Sequence, residues 1–517
     1  MRREGSKVKI VTAEEMYTID RYTMEKMGLT GPMLMENAGQ SLVFHMLPYF
    51  EKNERIAVMI GAGNNGGDGF VVSRQLQSLG YSVDTWVISS LEKMKGDALF
   101  HYKVYERSGY SVYSLERDGF DLFTRLMPSY TLLIDALLGI GVKGELLTPY
   151  KEVIEIMNQS NARIFSVDIP SGILADEKED NGAIQARMTF TLHCYKQSAF
   201  LYPARNHYGE VIVCPIGIPK KAEETVSRSC SIWTNQKVRL TLPRRKEDSF
   251  KGTYGKLLVI GGSKGMPGAV MMTAKSALRS GAGLTTMLIP SSIRKVVSSN
   301  ITEAMFIEAE DEQGYFASEL SVDFSHFDTI AIGPGMGRAK GCEKVVAQVL
   351  ETNRPLLIDA DALYFVAKLK DRLLKRTAPT IVTPHTGEMA RLTGYDVAYI
   401  EKNRFDVAQE FAMNYQTYVV LKGPFTIVST PTGEQFVNPT GNPALAKGGS
   451  GDVLTGIIAG LLKQHSNVQQ AISNACFIHG AVADHLVATS HSPLDVVASD
   501  LIQHLPAVLS DLYASSF

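Results

Sequence analysis

Short apolar runs, most of them ending in glycine-containing turns, recur along the chain: RIAVMIGAG at 55–63, TLLIDALLG at 131–139, RIFSVDIPSG at 163–172, KLLVIGGS at 256–263, TIAIGPGMG at 329–337, PLLIDADAL at 355–363 and TIVTPHTGE at 380–388. Strands covered by helices on both faces need continuous apolar runs instead of alternating ones, and the intervals here are long enough for crossover helices. The pattern predicts parallel strands and an α/β class. Ligands of open α/β sheets bind beyond the carboxyl ends of the strands. Gly, Asn, Asp, Ser and His concentrate at those positions in this chain.

Near residue 225 the pattern lapses. The strand-like GEVIVCPIGIP at 209–219 gives way to KKAEETVSRSC and then PRRKEDSFKGTYG, both charged and without apolar periodicity. Two domains are expected, 1–225 and 226–517, each with its own strand series and its own glycine-rich loops, and no internal repeat relates them.

A length of 517 residues is too much for one compact core. With 45% hydrophobic and 21% charged residues the chain has an ordinary globular mix, which argues against a disordered or coiled-coil chain. The formal net charge of −2 provides no global footprint for nucleic acid or an anionic membrane, so any phosphate must be bound locally. No apolar run reaches the length of about 18 residues that spans a bilayer. The N-terminal MRREGSKVKI leads into polar sequence instead of an apolar signal core. The 5 cysteines are odd in number and lack a CxxC pair, so neither a disulfide framework nor a zinc site is supported. A cytoplasmic protein with small-molecule partners is expected.

GAGNNGGDG at 61–69 follows a strand and precedes FVVSRQLQSLG, read as a helix that the loop leads into. Glycines let the backbone approach a ligand, and free N–H groups at a helix start favour an anion. The segment contains GxGxxG, so a dinucleotide dehydrogenase is considered. The acid then needed for a ribose would be Asp84, which stands near the start of its strand instead of its end. Side-chain oxygens are dense around this loop: Asn64, Asn65, Asp68, Asp135 after one strand, and Asp168 with Ser171 after another. Such oxygens suit a hard cation, although turns and caps use the same residue types.

NNGGDG at 64–69, DALLGIGVKGE at 135–145, DIPSGI at 168–173 and TFTLHCYK at 189–196, followed by GEVIVCPIGIP, resemble the YjeF N-terminal family of NAD(P)H-hydrate epimerases. The resemblance implies a Rossmann-like domain that interconverts R and S forms of NADHX and NADPHX. It implies hydrate contacts at Asn64, Asn65, Gly66, Gly67, Asp68, Gly139, Ile140, Gly141, Val142, Lys143, Gly144, Glu145 and Asp168. Asp168 is the expected base or electrostatic stabiliser, and Asn65, Asp135 and Ser171 the expected potassium ligands. Ser198 departs from the family, which has Gly there.

In the second half, GGSGD at 448–452 opens an apolar helical stretch. Backbone N–H groups of Gly449, Ser450 and Gly451 would face developing negative charge, with Asp452 as an adjacent carboxylate favoured in its ionised form by the helix dipole. Neither this loop nor GGSKGMPG at 261–268 contains GK[ST], which excludes a P-loop NTPase. KGTYGKLLVIGGSKGMPGAV, RSGAGLTT, GPGMG, DADAL, TPHTGEMARL, LKGPFTIV and GGSGDVLTG, in that order, resemble the YjeF C-terminal family of ADP- or ATP-dependent NAD(P)H-hydrate dehydratases, of ribokinase-like fold. Phe250 stands where the family has His. The resemblance implies hydrate contacts at Gly335, His385, Thr386, Gly387, Glu388, Met389, Ala390, Arg391 and Asp452. It implies ADP contacts at Lys422, Gly423, Pro424, Phe425, Thr426, Asn442, Gly448, Gly449, Ser450 and Gly451, with magnesium on the nucleotide and Asp452 as the catalytic carboxylate. His385 is read equally as a substrate contact or as a strand-end histidine bonded to backbone.

The expectation is therefore a bifunctional repair enzyme that epimerises NADHX and NADPHX and dehydrates the S form using ADP, releasing AMP and phosphate; it is also expected, from the resemblance alone, to be a homo-oligomer. The alternative is a ribokinase-like small-molecule kinase fused to a non-catalytic Rossmann-like binding module. The choices between ADP and ATP and between the two hydrates stay open. The Met-rich segments at 31–39 and 269–275 are read as core packing, and Arg244, Arg245 and Lys246 as a solvated linker.

Overall fold

The computed structural model describes residues 8–226 and 229–514, which form two compact units. All seven apolar runs named above become parallel strands. In the first unit a seven-stranded sheet runs in the order Tyr113–Ser114, Ser82–Val87, Arg55–Ile60, Leu132–Ala136, Arg163–Val167, Met188–Leu192 and Glu210–Cys214, parallel throughout. One face is sealed by a core that includes Leu42, Val72 and Phe190, the other by a core with Trp86, Phe123 and Met157. Side chains of the central strands are thereby buried on both sides, as their unbroken apolarity demands.

The helix expected after the first glycine-rich loop starts earlier than the sequence suggests. It spans Asn64–Ser78, so the residues read as loop form its first turns. The glycines permit this by contact, not by unusual backbone angles: a Cβ on Gly66 would stand 2.0 Å from the Gly61 carbonyl oxygen, and one on Gly67 2.4 Å from the Met35 sulfur. Gly66 lets the helix start lie close to the strand's end, and Gly67 lets it lie close to the neighbouring helix Gly31–Met46.

The second unit holds a ten-stranded sheet in the order Cys230–Ile232, Gln435–Val437, Ile427–Ser429, Tyr418–Leu421, Thr380–Val382, Leu356–Ile358, Thr329–Ile332, Lys256–Ile260, Leu284–Pro290 and Met305–Ala309. Its pairs are parallel except the two made by Ile427–Ser429. Helix Ser450–Leu462 is apolar all round because Pro267–Arg279, Val468–Thr489 and Ala498–Ala514 enclose it. Its Gly456 sits where a Cβ would meet the Ser276 hydroxyl at 1.9 Å.

Several smaller expectations resolve here. Ser198 is buried, with its hydroxyl 2.7 Å from that of Tyr208, so the departure from Gly is absorbed by a hydrogen bond. Asp84 accepts from the Tyr130 hydroxyl at 2.9 Å and faces Arg55, a structural role and not a ribose contact. Arg244, Arg245 and Lys246 are exposed, as the solvated reading expects, but the two arginines are held in place: their guanidinium groups lie over Tyr513 and Tyr254 and donate to the Tyr513 and Gly281 carbonyls. All five cysteines are buried and free.

Candidate functional sites

In the first unit Asn65, Asp135 and Ser171 come together at the turn after strand Leu132–Ala136, while Asn64 is exposed and takes no part. Asp135 is fully buried. Its Oδ1 accepts from the Ser171 hydroxyl at 2.5 Å and the Leu137 N–H at 3.2 Å, and its Oδ2 from the Ser171 N–H at 2.9 Å and the Ser166 hydroxyl at 2.8 Å. Leu138 ties the remaining members together: its carbonyl accepts from the Asn65 amide at 3.0 Å and its N–H donates to Ser171 Oγ at 2.9 Å. Burial pushes the Asp135 carboxyl up, and only neutral donors answer it.

Asp168 caps the next strand in a left-handed conformation, φ 66°. A non-glycine residue held there costs about 1–3 kcal/mol and persists where the surroundings enforce it. The enforcing partners all act on one oxygen, Oδ1: the Leu192 N–H at 2.9 Å, the Thr191 hydroxyl at 3.2 Å and the Lys196 ammonium. Among the described residues Oδ2 accepts no bond. Lys196 is almost wholly buried. It was quoted in a motif but not foreseen as a site residue; its signal was a lysine ending a strand segment otherwise too apolar to tolerate one.

Around this pair lie two further carboxyls. Burial, then the charges of Asp168 and Asp20, push Asp68 well above the usual carboxylate range. Asp20 is raised to about 6 by burial, against the pull of Lys196. Asp20 comes from helix Ala13–Met27, with Tyr17 one turn before it, and the Tyr17 hydroxyl sits 2.6 Å from where a Cβ on Gly141 would be. That helix carries no motif, so sequence reading missed both. The turn from Gly139 to Glu145 begins against Asn65, with Ile140 and Val142 half-buried and Lys143, Gly144 and Glu145 exposed.

In the second unit, helix Ser450–Leu462 begins at Gly449, whose φ of 91° and close contact with Met272 exclude a side chain. The Ser450 hydroxyl turns back to the Leu445 and Lys447 carbonyls, so it is the backbone of the loop that is offered outward. Asp452 does not follow the sequence expectation of a carboxylate kept low by the helix dipole. Burial and then the charge of Asp359 raise it to about 7, with Lys422 acting in the opposite sense.

Asp359, at the end of strand Leu356–Ile358, was not foreseen as a site residue, although its place beyond a strand end was the available signal. It is buried and accepts from Lys422 Nζ at 2.9 Å, Thr383 Oγ1 at 2.7 Å and Thr455 Oγ1 at 2.6 Å. Burial works against its ionised form, but Lys422 and the two hydroxyls more than offset this and hold the carboxyl low. Ala360 beside it has φ 49°. Lys422 also faces Glu388 at 3.7 Å, so one ammonium stands among three acids: Asp359, Glu388 and Asp452.

Other expected contacts divide. His385 caps helix Thr386–Thr393: its Nδ1 accepts from the N–H groups of Gly387 at 3.0 Å and Glu388 at 3.3 Å, and its Nε2 stands 3.6 Å from Glu388 Oε1. The Thr386 hydroxyl is bonded to Glu401. Met389 lies in the core with no exposure, which removes its side chain from substrate contact, while Ala390 is half-buried and Arg391 exposed. Gly335 has φ 63°, and its carbonyl accepts from Ser263 at 2.8 Å. Gly423 presses on buried Arg404, which a Cβ would approach to 2.3 Å. Pro424 is exposed, Phe425 half-buried, and the Thr426 carbonyl accepts from Asn438. Asn442 donates to Asp484 at 2.9 Å, and Gly448 is exposed.

Comparison with known proteins gives two family matches: YjeF-related protein N-terminus over residues 31–198 and NAD(P)H-hydrate dehydratase over residues 257–507. Proteins named bifunctional NAD(P)H-hydrate repair enzyme are similar over nearly the full length. That of Moorella thermoacetica is 35% identical over 97% of this chain and 97% of its own, and that of Thermofilum pendens is 33% identical over 98% and 97%. A solved ADP/ATP-dependent NAD(P)H-hydrate dehydratase of Bacillus subtilis, co-crystallised with ATP/Mg2+, is 36% identical, covering 56% of this chain and all of that one with a TM-score of 0.49.

Proposed function

The chain belongs to the bifunctional NAD(P)H-hydrate repair enzymes, epimerase and ADP/ATP-dependent dehydratase in one polypeptide, and from that premise we propose which residues perform each step. Residues 1–225 are assigned the epimerisation and 226–517 the dehydration.

In the first unit the chemistry requires inversion at the hydrated ring carbon, which bears both a hydroxyl and the ring nitrogen. An acid must assist loss of the hydroxyl as water, a negative group must stabilise the iminium cation left behind, and water must return to the other face. Asp68, whose carboxyl burial pushes up, is assigned the role of acid. Asp168, held by Lys196 through Oδ1, presents Oδ2 to the cation. Asn64 to Asp68 and Gly139 to Glu145 form the walls. Asn65, Asp135 and Ser171 are all hard-oxygen donors around a buried carboxylate that has no ion pair among the described residues, so potassium fits them. When bound it would supply the counter-charge that this turn lacks.

In the second unit the observation that carries the reading is Asp452, set beside the Gly449 to Gly451 backbone and poised at about 7 by burial and Asp359. A carboxylate at that value is matched to deprotonating a hydroxyl near neutral pH. Asp452 takes the proton of the C6 hydroxyl, whose oxygen attacks the terminal phosphoryl group of the nucleotide. The C6–O bond then breaks with its electron pair going to phosphate, a far better leaving group than hydroxide, and loss of the C5 proton to the departing phosphate restores the nicotinamide double bond. Lys422 to Thr426, Asn442 and Gly448 to Gly451 hold the nucleotide, and the loop N–H groups face the transferring charge. Magnesium would neutralise nucleotide charge. With ADP as phosphoryl donor the products are NAD(P)H, AMP and phosphate. Gly335 and the segment from His385 to Arg391 hold the hydrate.

Asp168→Ala and wild type, each given the pure R hydrate with nucleotide, test the division of labour. Wild type should regenerate reduced nicotinamide and the variant should not, while both act on the S hydrate. A variant that still repairs the R form refutes the role given to Asp168. A stable phosphorylated alcohol from wild type would favour the kinase alternative.

A further inference from the structure

Beside the proposed hydrate contacts of the second unit, three cations surround one aromatic ring. Tyr364, on helix Asp361–Leu369, has Arg338 Cζ 4.8 Å, Lys368 Nζ 4.8 Å and Arg391 Cζ 5.4 Å from its ring centroid. They come from three elements: the turn beyond strand Thr329–Ile332, the Tyr364 helix itself, and helix Thr386–Thr393. One carboxylate attends them. Asp361 pairs loosely with Arg338, Nε to Oδ1 3.5 Å, and its Oδ2 is taken by the Gly337 N–H at 2.9 Å. Glu388, which also feels the charge of Arg391, is engaged by the His385 N–H and faces Lys422. Lys368 and Arg391 form no ion pair with any described residue.

Like charges gathered on a tyrosine face repel one another, and cation–π attraction of about 0.5–1 kcal/mol each at exposed sites positions them without neutralising them. Such an arrangement leaves a preset wall of net positive charge, and guanidinium groups match phosphate oxygens in a planar, bidentate manner. The wall adjoins both segments assigned to the hydrate, through Gly337 on one side and Arg391 on the other. We propose that Arg338, Lys368 and Arg391, arrayed on Tyr364, bind a phosphate of the hydrated nicotinamide nucleotide. This rests on the dehydratase reading of the second unit. The group bound is either the pyrophosphate, common to both hydrates, or the 2′-phosphate, present only in NADPHX.

Arg338→Gln and Lys368→Gln are assayed with S-NADHX and with S-NADPHX, at saturating ADP or ATP, whichever supports wild-type turnover. The result expected is a KM for hydrate raised about tenfold, the equivalent of one lost charge-assisted contact, with kcat and the nucleotide KM unchanged. A rise for both hydrates identifies the pyrophosphate, and a rise for NADPHX alone the 2′-phosphate. Two results overturn the proposal: unchanged KM for both hydrates in both variants, or a defect confined to the nucleotide KM. Wild type inactive on both S hydrates with either nucleotide would instead defeat the dehydratase reading itself.

Discussion

Replacing Asp452 with Asn should make the second unit more stable and catalytically almost inert. In the folded protein burial and Asp359 carry the Asp452 carboxyl from its ordinary 3.8 to about 7. At 1.36 kcal/mol per tenfold change, keeping it ionised above pH 7 costs the fold about 4 kcal/mol. Solvent at the mouth of the site lowers that to roughly 2–4 kcal/mol. The sign follows from the raised value. The group's contribution is most favourable below the unfolded value, declines as pH rises between the two, and is fully lost above the folded one. Asn occupies the same volume, keeps the backbone of the helix start, and never carries the charge. For a unit of about 290 residues, an unfolding entropy of about 0.6 kcal/mol per degree converts the gain to roughly 3–7 °C. Differential scanning calorimetry of both proteins at about pH 8 and about pH 4 measures it: the upper gap should close at the lower pH. Activity moves the other way, because losing a general base costs about 10²- to 10⁴-fold in kcat. Equal melting at pH 8, or a gap independent of pH, would refute the reasoning.

Three other outcomes follow from the same geometry. Dehydratase kcat/KM should climb as pH rises through about 7, since Asp452 acts deprotonated; Asp359→Asn should move that limb to lower pH, because it removes the neighbouring negative charge and leaves Lys422 less neutralised, and a limb that stays put would contradict the assigned cause. Lys196→Met should abolish epimerisation while sparing the dehydratase, and should destabilise the first unit by about 3–5 kcal/mol by leaving Asp168 buried without its cation; calorimetry and R-hydrate assays with added S-hydrate controls read both effects. Gly66→Ala should cost the first unit about 1–3 kcal/mol or more, because its Cβ would meet the Gly61 carbonyl oxygen, and a soluble variant with unaltered melting would show that the helix can withdraw from the sheet.

Much of this architecture is visible in the sequence because buried parallel strands leave an unambiguous trace. The seven apolar runs all became strands, and Asp135, Asp168, Ser171 and Asp452 stand at the strand and helix ends where the motifs put them. What escaped was set by partners distant in the chain. Glycine content argued for a loop at 64–69, yet the close approach of helix to sheet made it helical. Asp359 and Lys422 are 63 residues apart, so nothing local marks them as a pair. Asp20 lies on an ordinary capped helix and gains its character from tertiary burial first, and then from Lys196 and Asp168. The charge of Asp452 was misread for a related reason: the dipole is a local signal, whereas burial and the Asp359 charge that outweigh it are tertiary.

The central claim is that both halves act on one metabolite, and one experiment addresses it directly. A mixture of R- and S-NADHX is incubated with the protein, potassium, magnesium and either ADP or ATP, while the absorbance of reduced nicotinamide is followed. Complete recovery of the input with a nucleotide, and no recovery without one, is the predicted result. Recovery that halts at the S fraction would contradict the epimerase assignment, and no recovery with either nucleotide would contradict the account as a whole.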